Sequence, residues 1–228
     1  MADLILPGQG DPRWSRRRLL AAGVAGVAGL ALAGCSLDNT AATDNQQNDP
    51  DAGWGGDLVS PPLSKPDVTF TTTDGKPYDI RKETAGKLTF LFFGYTKCPD
   101  QCPVYLSTLA RSIDAVATGP GSAPIVLFVG IDLKRDTPKV LAAYLKTFND
   151  SFIGLTGSEH VIAKANREVK FAPIVIEAPD KNGDYGVGHT ARAIAYTPDN
   201  KAHRLYGVDV RQQDLAKDLP RLAVGTYR

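Results

Sequence analysis

One stretch limits the possible folds more than any other. "LTFLFFGYTKCPDQCPVYL" (residues 88–106) opens with an unbroken apolar run, β-branched and aromatic, of the kind found in a strand covered on both faces. The run leads straight into Cys98-Pro99-Asp100-Gln101-Cys102-Pro103. Beyond it Leu106, Leu109, Ala110, Ile113, Val116 and Ala117 recur at the three-or-four-residue step of an amphipathic helix. A buried strand, a cysteine pair and a helix in direct succession form a strand–loop–helix unit of an α/β domain.

Further elements follow. "VTFTTTDGKPYDI" reads as a hairpin about Asp74-Gly75. "APIVLFVGID" (123–132) reads as a second buried strand. "RDTPKVLAAYLKTF" reads as a helix capped by Thr137 with Pro138 at its first position. Thr156-Gly157-Ser158-Glu159 has the form of a capping box opening a helix to about Lys170. "APIVIEAP", "ARAIAYTP" and "HRLYGVDV" read as strands, the last two joined through "PDNKA". A closing helix over 211–225 is expected to break or bend at Pro220. The order predicts a thioredoxin-like α/β fold: a central sheet flanked by helices, an N-terminal hairpin, and the cysteine pair at a strand–helix junction.

The N-terminus bears on compartment. Arg16, Arg17 and Arg18 precede a 15-residue apolar run, Leu19–Ala33. That length suits a signal segment better than a bilayer span. Ser15-Arg16-Arg17-Arg18-Leu19-Leu20 resembles a twin-arginine export signal, with the general secretory route as the alternative. Leu32-Ala33-Gly34-Cys35 resembles a bacterial lipobox, which implies cleavage before Cys35 and a lipid on its thiol; the alternative is an incidental cysteine or an uncleaved anchor. Residues 1–34 are therefore expected to be a signal peptide. Residues 35–65, rich in Asn, Gln, Asp, Gly and Pro, are expected to be a flexible lipid-anchored tether. Residues 66–228 are expected to be the folded domain, facing the extracytoplasmic side of the cell membrane. Trp54 is the one large apolar residue of the tether, expected to touch the domain or the lipid surface, or else to be a stray aromatic.

The chain has formal charge +1. Residues 1–34 carry four arginines and two aspartates, so 22 basic and 23 acidic residues follow them. No basic stripe, heptad or phosphate loop is present, and no nucleic-acid partner is expected.

With Cys35 lipidated, Cys98 and Cys102 are the remaining two of three cysteines. Pro99 keeps Cys98 out of helical geometry, and Pro103 suits a first helical position. Cys102 is thus expected near the helix N-cap, where amides and the helix dipole favour thiolate. A disulfide across so short a gap removes little chain entropy; it makes a poor staple and a better switch. Of the three histidines, His160 and His203 read as surface residues. His189 ends a Gly-rich loop before a buried strand, in the position that faces the cysteines in a thioredoxin layout; the alternative is a loop histidine satisfied by the backbone. Two thiolates and one imidazole suit copper. A closed zinc site would want a fourth ligand, and an iron–sulfur cluster more cysteines. A peroxidase-like reading would need a cation beside one thiolate. Lys97 is the candidate there, expected to point to solvent.

"FFGYTKCPDQCPVYL", "IDLKRDTPKVLAAYLKTF" with "FIGLTG", and "YGVGHTARAIAYTPDNK" together resemble the Sco/SenC family, in order and with matched spacing over roughly 66–225. The resemblance implies a copper site of Cys98, Cys102 and His189, holding one Cu(I) or Cu(II) per chain. It also implies a metallochaperone serving the dinuclear copper centre of cytochrome c oxidase subunit II, loaded by a copper donor protein. The alternative is a thiol-disulfide oxidoreductase that reduces the cysteines of that centre, with Cys98 and Cys102 as its redox pair, disulfide-bonded when oxidised. Asp100 matches the family pattern and is expected behind the ligands; otherwise it is a solvated loop carboxylate. Gly188 departs from the pattern, which commonly has an acidic residue before the histidine. Leu133 stands where proline is common.

Overall fold

The computed structural model describes residues 52–116 and 123–228. The expected signal segment and Cys35 lie outside them. Ten strands and five helices are present among the described residues: β1 (Asp57–Ser64), β2 (Thr69–Thr72), β3 (Pro77–Asp79), α1 (Ile80–Glu83), β4 (Thr89–Gly94), α2 (Gln101–Val116), β5 (Ile125–Gly130), α3 (Pro138–Lys146), β6 (Ile153–Thr156), α4 (Glu159–Glu168), β7 (Val175–Ile176), β8 (Val187–Gly188), β9 (Arg192–Tyr196), β10 (Lys201–Gly207) and α5 (Gln212–Ala223). None of these helices is long and apolar enough to cross a membrane.

Eight strands form one sheet in the order β1-β10-β9-β4-β5-β6-β2-β3. The apolar run 88–95 lies in its middle as β4. Its neighbours are β5, parallel, and β9, antiparallel. Phe90, Leu91, Phe92 and Phe93 are at most 1% exposed, which is why this strand shows no polar alternation. On α2 the predicted stripe of Leu106, Leu109, Ala110 and Ile113 is buried. Helices α2 and α5 pack together, and Ser112 Oγ donates to the Gln212 carbonyl at 3.1 Å. The fold is the expected thioredoxin-like one, with the cysteine loop at the carboxyl end of β4.

Several details differ from the sequence reading. Residues 57–64 are an edge strand of the sheet, paired with β10, although their composition reads as tether. An edge strand with prolines at 61 and 62 and a register shift needs few apolar residues, so composition hides it. Trp54 touches the domain, one of the readings its position allowed. It stacks between the guanidinium groups of Arg204 and Arg221, 4.3 and 3.4 Å from its ring, while the Gly55 amide donates to Asp218 at 2.8 Å. Arg204, fully buried, donates to the Gly56 carbonyl and to that of Tyr227, tying both ends of the domain together.

The cap of α4 is Ser158, whose side chain accepts from Val161 N, rather than Thr156; the latter ends β6, a strand the sequence did not announce. Within 172–179 only Val175–Ile176 is extended, paired with β8 outside the main sheet. Helix α5 runs through Pro220 unbroken. Pro220 is exposed, and the buried Leu215, Leu219 and Leu222 hold the helix on α2 against a penalty of about 3 kcal/mol for an internal proline.

Candidate metal centre

Where β4 ends, Gly94 allows a close approach. A Cβ there would lie 2.8 Å from the Phe128 ring and 2.9 Å from Cys102 Sγ, so only glycine lets the thiol tuck against the strand. Tyr95 and Thr96 follow, then the cysteine loop. The Cys98 amide donates to the Tyr95 carbonyl at 3.2 Å. Helix α2 begins at Gln101, two residues earlier than Pro103 suggested, because Pro103 fits anywhere in the first turn, where amides lack helical partners.

That shift reverses the expected roles of the cysteines. Cys102 lies inside the first turn and is fully buried, while Cys98 lies just outside the helix and is 9% exposed. The Cys102 amide donates to Cys98 Sγ at 3.3 Å. The hydrogen bond from the Cys102 thiol, with the amides of Asp100, Gln101 and Cys102, lowers the Cys98 thiol to about 6 against the opposing effect of burial. The Cys102 thiol is pushed up, because it donates to Cys98 and is buried. Near neutral pH the pair is therefore a Cys98 thiolate beside a protonated Cys102. Both thiols are free in this structure.

Asp100 is exposed, and its carboxylate accepts from the Gln101 amide at 2.6 Å, closing the start of α2. Its position is that of the solvated loop carboxylate rather than of a group behind the ligands. Lys97 is exposed, as expected.

His189 follows β8 at the same end of the sheet and is half-buried. Its ring stands edge-on to Tyr95, centroids 5.8 Å apart. Burial holds the imidazole below its ordinary pKa, with the Thr190 carbonyl acting the other way, so the ring is neutral at pH 7. Nδ1 lies 3.2 Å from that carbonyl. With Nδ1–H donated there, Nε2 keeps its lone pair for a metal. Tyr95 thus touches both halves of the predicted ligand set. Among the described residues no three His, Cys, Asp or Glu side chains converge closely enough to hold an ion. Cys98, Cys102 and His189 share one end of the domain without forming a closed triad.

The other histidines are elsewhere. His160 is exposed on α4. His203 is buried, not exposed as its sequence context suggested. It stacks flat on Tyr227 at 3.5 Å, with Nε2 2.8 Å from Asp199. The partner is 24 residues away in sequence, so local pattern could not announce it.

Sequence reasoning also missed a polar brace between the cysteine loop and the histidine segment. Asp136, 2% exposed, accepts from Thr96 N and Oγ1 at 2.9 and 2.7 Å. Asp132, equally buried, pairs with Arg135 and accepts from Tyr185 Oη at 2.9 Å. The acidic pair in "IDLKRDTP" is the signal that could have been read: two carboxylates flanking a buried strand end need partners.

The donor set fits a thiophilic metal. Cys98 offers a thiolate without further proton loss, Cys102 a second sulfur on deprotonation, and His189 a neutral nitrogen. Gly188 is exposed and a Cβ there would make only ordinary contact with Val175, at 3.7 Å, so nothing steric excludes the acidic residue that the family pattern has.

Comparison with known proteins gives one answer. The SCO1/SenC family profile matches residues 60–224. "Protein sco1" of Schizosaccharomyces pombe is 34% identical over 145 residues, which are 62% of this chain and 52% of that one. The chain therefore spans about half the length of this curated relative. The crystal structure of Arabidopsis thaliana ScoI with copper bound is 30% identical, covers 70% of this chain and 96% of its own, and superimposes with a TM-score of 0.63. Bradyrhizobium japonicum ScoI with copper bound is also 30% identical, covering 70% and 99% with a TM-score of 0.62.

Proposed function

The chain belongs to the SCO1/SenC family, and from that membership and the geometry of its cysteine loop we propose that it is an extracytoplasmic copper metallochaperone. Copper is its cargo. The observation that carries the reading is Cys98 Sγ held beside Cys102, whose amide donates to it at 3.3 Å, with His189 one aromatic ring away. Two sulfurs hold Cu(I); addition of the imidazole extends the site to Cu(II). The similarity to two copper-bound ScoI structures supports the same cargo. The assignment includes delivery to the dinuclear copper centre of cytochrome c oxidase subunit II, from a separate copper donor. It also includes a lipid on Cys35 that tethers the domain to the membrane.

The thiol pKa values favour a second reading of the same pair. In thiol-disulfide exchange the Cys98 thiolate attacks one sulfur of a target disulfide and releases the first target thiolate. Cys102 then loses its proton and attacks Cys98 Sγ, releasing the second. The target gains two electrons, and this chain is left with a Cys98–Cys102 disulfide until an external dithiol reduces it.

Titration with Cu(II) separates the two. A thiolate-to-copper charge-transfer absorption that saturates at one ion per chain supports the chaperone. Absence of the band, with rapid reduction of a disulfide substrate, assigns the oxidoreductase. Membrane fractionation tests the tether: the parent is expected with the membrane and Cys35→Ser without it.

A further inference from the structure

His189 is carried on an arm, residues 173–188, that leaves the body of the domain after Phe171 and returns into β9. The arm is poorly packed. Val175 and Ile176 are 56% and 51% exposed, and Val187 is its one buried residue. Beneath it lies a cavity of about 580 Å³, walled by Ile131, Leu133, Ile174 and Ile176. Apolar contact between the arm and the body is confined to Ile174, Tyr185 and Val187, so polar ties carry much of its placement.

Two tyrosines hydrogen-bond the arm to the body: Tyr95, whose hydroxyl accepts from the Val187 amide, and Tyr185 at the arm's root. The Tyr185 hydroxyl donates to Asp132 at 2.9 Å. Its carbonyl accepts from Arg135 Nη2 at 3.1 Å, and the same guanidinium lies 3.7 Å from the centre of its ring. The other end of this group is rigid. Arg135 and Asp136 donate their amides back to the Asp132 carbonyl at 3.0 and 2.7 Å. Asp136 grips Thr96, two residues before Cys98. One short turn, 132–136, thus holds the cysteine loop with one carboxylate and the histidine arm with the other.

We propose that Asp132, Arg135 and Tyr185 form a latch that fixes the root of the His189 arm relative to the cysteine pair, and so determines how strongly the site prefers Cu(II) over Cu(I). The inference rests on the copper reading above. An arm held at Tyr185 as well as at Val187 leaves little backbone to adjust when the imidazole engages. An arm released at Tyr185 must be ordered at the moment of binding, and that cost falls on the copper state that uses the imidazole. Cu(I), held by two sulfurs, does not bear it.

The test uses the full chain and the variants Tyr185→Phe and Arg135→Lys, alone and combined with His189→Ala. In the copper-free protein, amide exchange over 175–188 is expected to quicken about tenfold in Tyr185→Phe, the effect of one lost charge-assisted hydrogen bond. Cu(II) affinity is expected to fall by a similar factor while Cu(I) affinity, read by competition with a Cu(I) chelator, stays within about twofold. With His189→Ala in place, Tyr185→Phe is expected to have no further effect on Cu(II). Arg135→Lys keeps the charge beside Asp132 and loses the stacked fork, so it is expected to show the same split even if Tyr185→Phe folds poorly. Equal loss of both copper states, or a Cu(II) loss that persists undiminished beside His189→Ala, would overturn the latch. A parent that binds neither state overturns the copper reading instead, and the exchange rates then decide whether Tyr185 holds the arm.

Discussion

The ring of Tyr95 stands edge-on to the imidazole of His189, with the centroids 5.8 Å apart, while its own carbonyl accepts the Cys98 amide. Tyr95 is therefore the wall shared by the sulfur and nitrogen halves of the proposed site. It is 7% exposed, so its ring is part of the core as well. Tyr95→Phe keeps that wall but loses the hydroxyl that accepts from the Val187 amide, and is expected to weaken Cu(II) binding less than Tyr95→Ala does. Tyr95→Ala removes the wall, at a cost of roughly 2–4 kcal/mol in denaturant unfolding. Equal Cu(II) affinity in Tyr95→Ala would show that the ring does not position His189.

The two thiols should titrate far apart. Cys98 is lowered to about 6 by the Cys102 thiol and the amides of α2. Its alkylation rate should rise through about pH 6 and disappear in Cys98→Ser. The same shift bears on stability. Between the folded value near 6 and the ordinary value of 9.0, the unfolded chain holds a proton that the folded chain does not. Stability from Cys98 is thus fully present above pH 9 and is lost as pH falls toward 6. In the reduced protein, the pH dependence of the urea midpoint across that window should be steeper than in Cys98→Ser. Identical slopes would contradict the assignment of the thiolate to Cys98.

The N-terminal boundary of the folded domain can be checked directly. Strand β1 and the Trp54 stack precede Pro66. A form beginning at Ala52 should have the stability of the whole domain. One beginning at Pro66 loses the pairing to β10 and the Gly56 carbonyl that buried Arg204 donates to, and should unfold at clearly lower urea concentration. Equal midpoints would show that β1 is dispensable.

These results indicate what the sequence made legible. Leu88–Tyr95 announced a central strand because both its faces are covered. Thr137 and Pro138 announced α3 because caps are local chemistry, and the Thr137 side chain does accept from Val140 N. Strand β1 was hidden because an edge strand is polar. The pairing of His203 with Tyr227, and of Tyr185 with Asp132, was hidden because each joins segments far apart in sequence. In the site itself the residue types were readable at Cys98, Cys102 and His189. The division of labour between the cysteines was not, because it turns on where α2 begins, and two residues of helix start decide which sulfur the amides face.

The central claim is that His189 completes a copper site begun by Cys98 and Cys102. The most direct measurement is parallel Cu(II) and Cu(I) titration of the parent, Cys98→Ser, Cys102→Ser and His189→Ala. Either serine variant should lose nearly all binding of both states, since one thiolate and one imidazole make a poor soft site. His189→Ala should lose the charge-transfer band and at least about tenfold in Cu(II) affinity, hold Cu(I) far better, and still form the Cys98–Cys102 disulfide. If His189→Ala binds both copper states as tightly as the parent, His189 is not a ligand, and the cysteine pair is a dithiol switch with a bystander histidine.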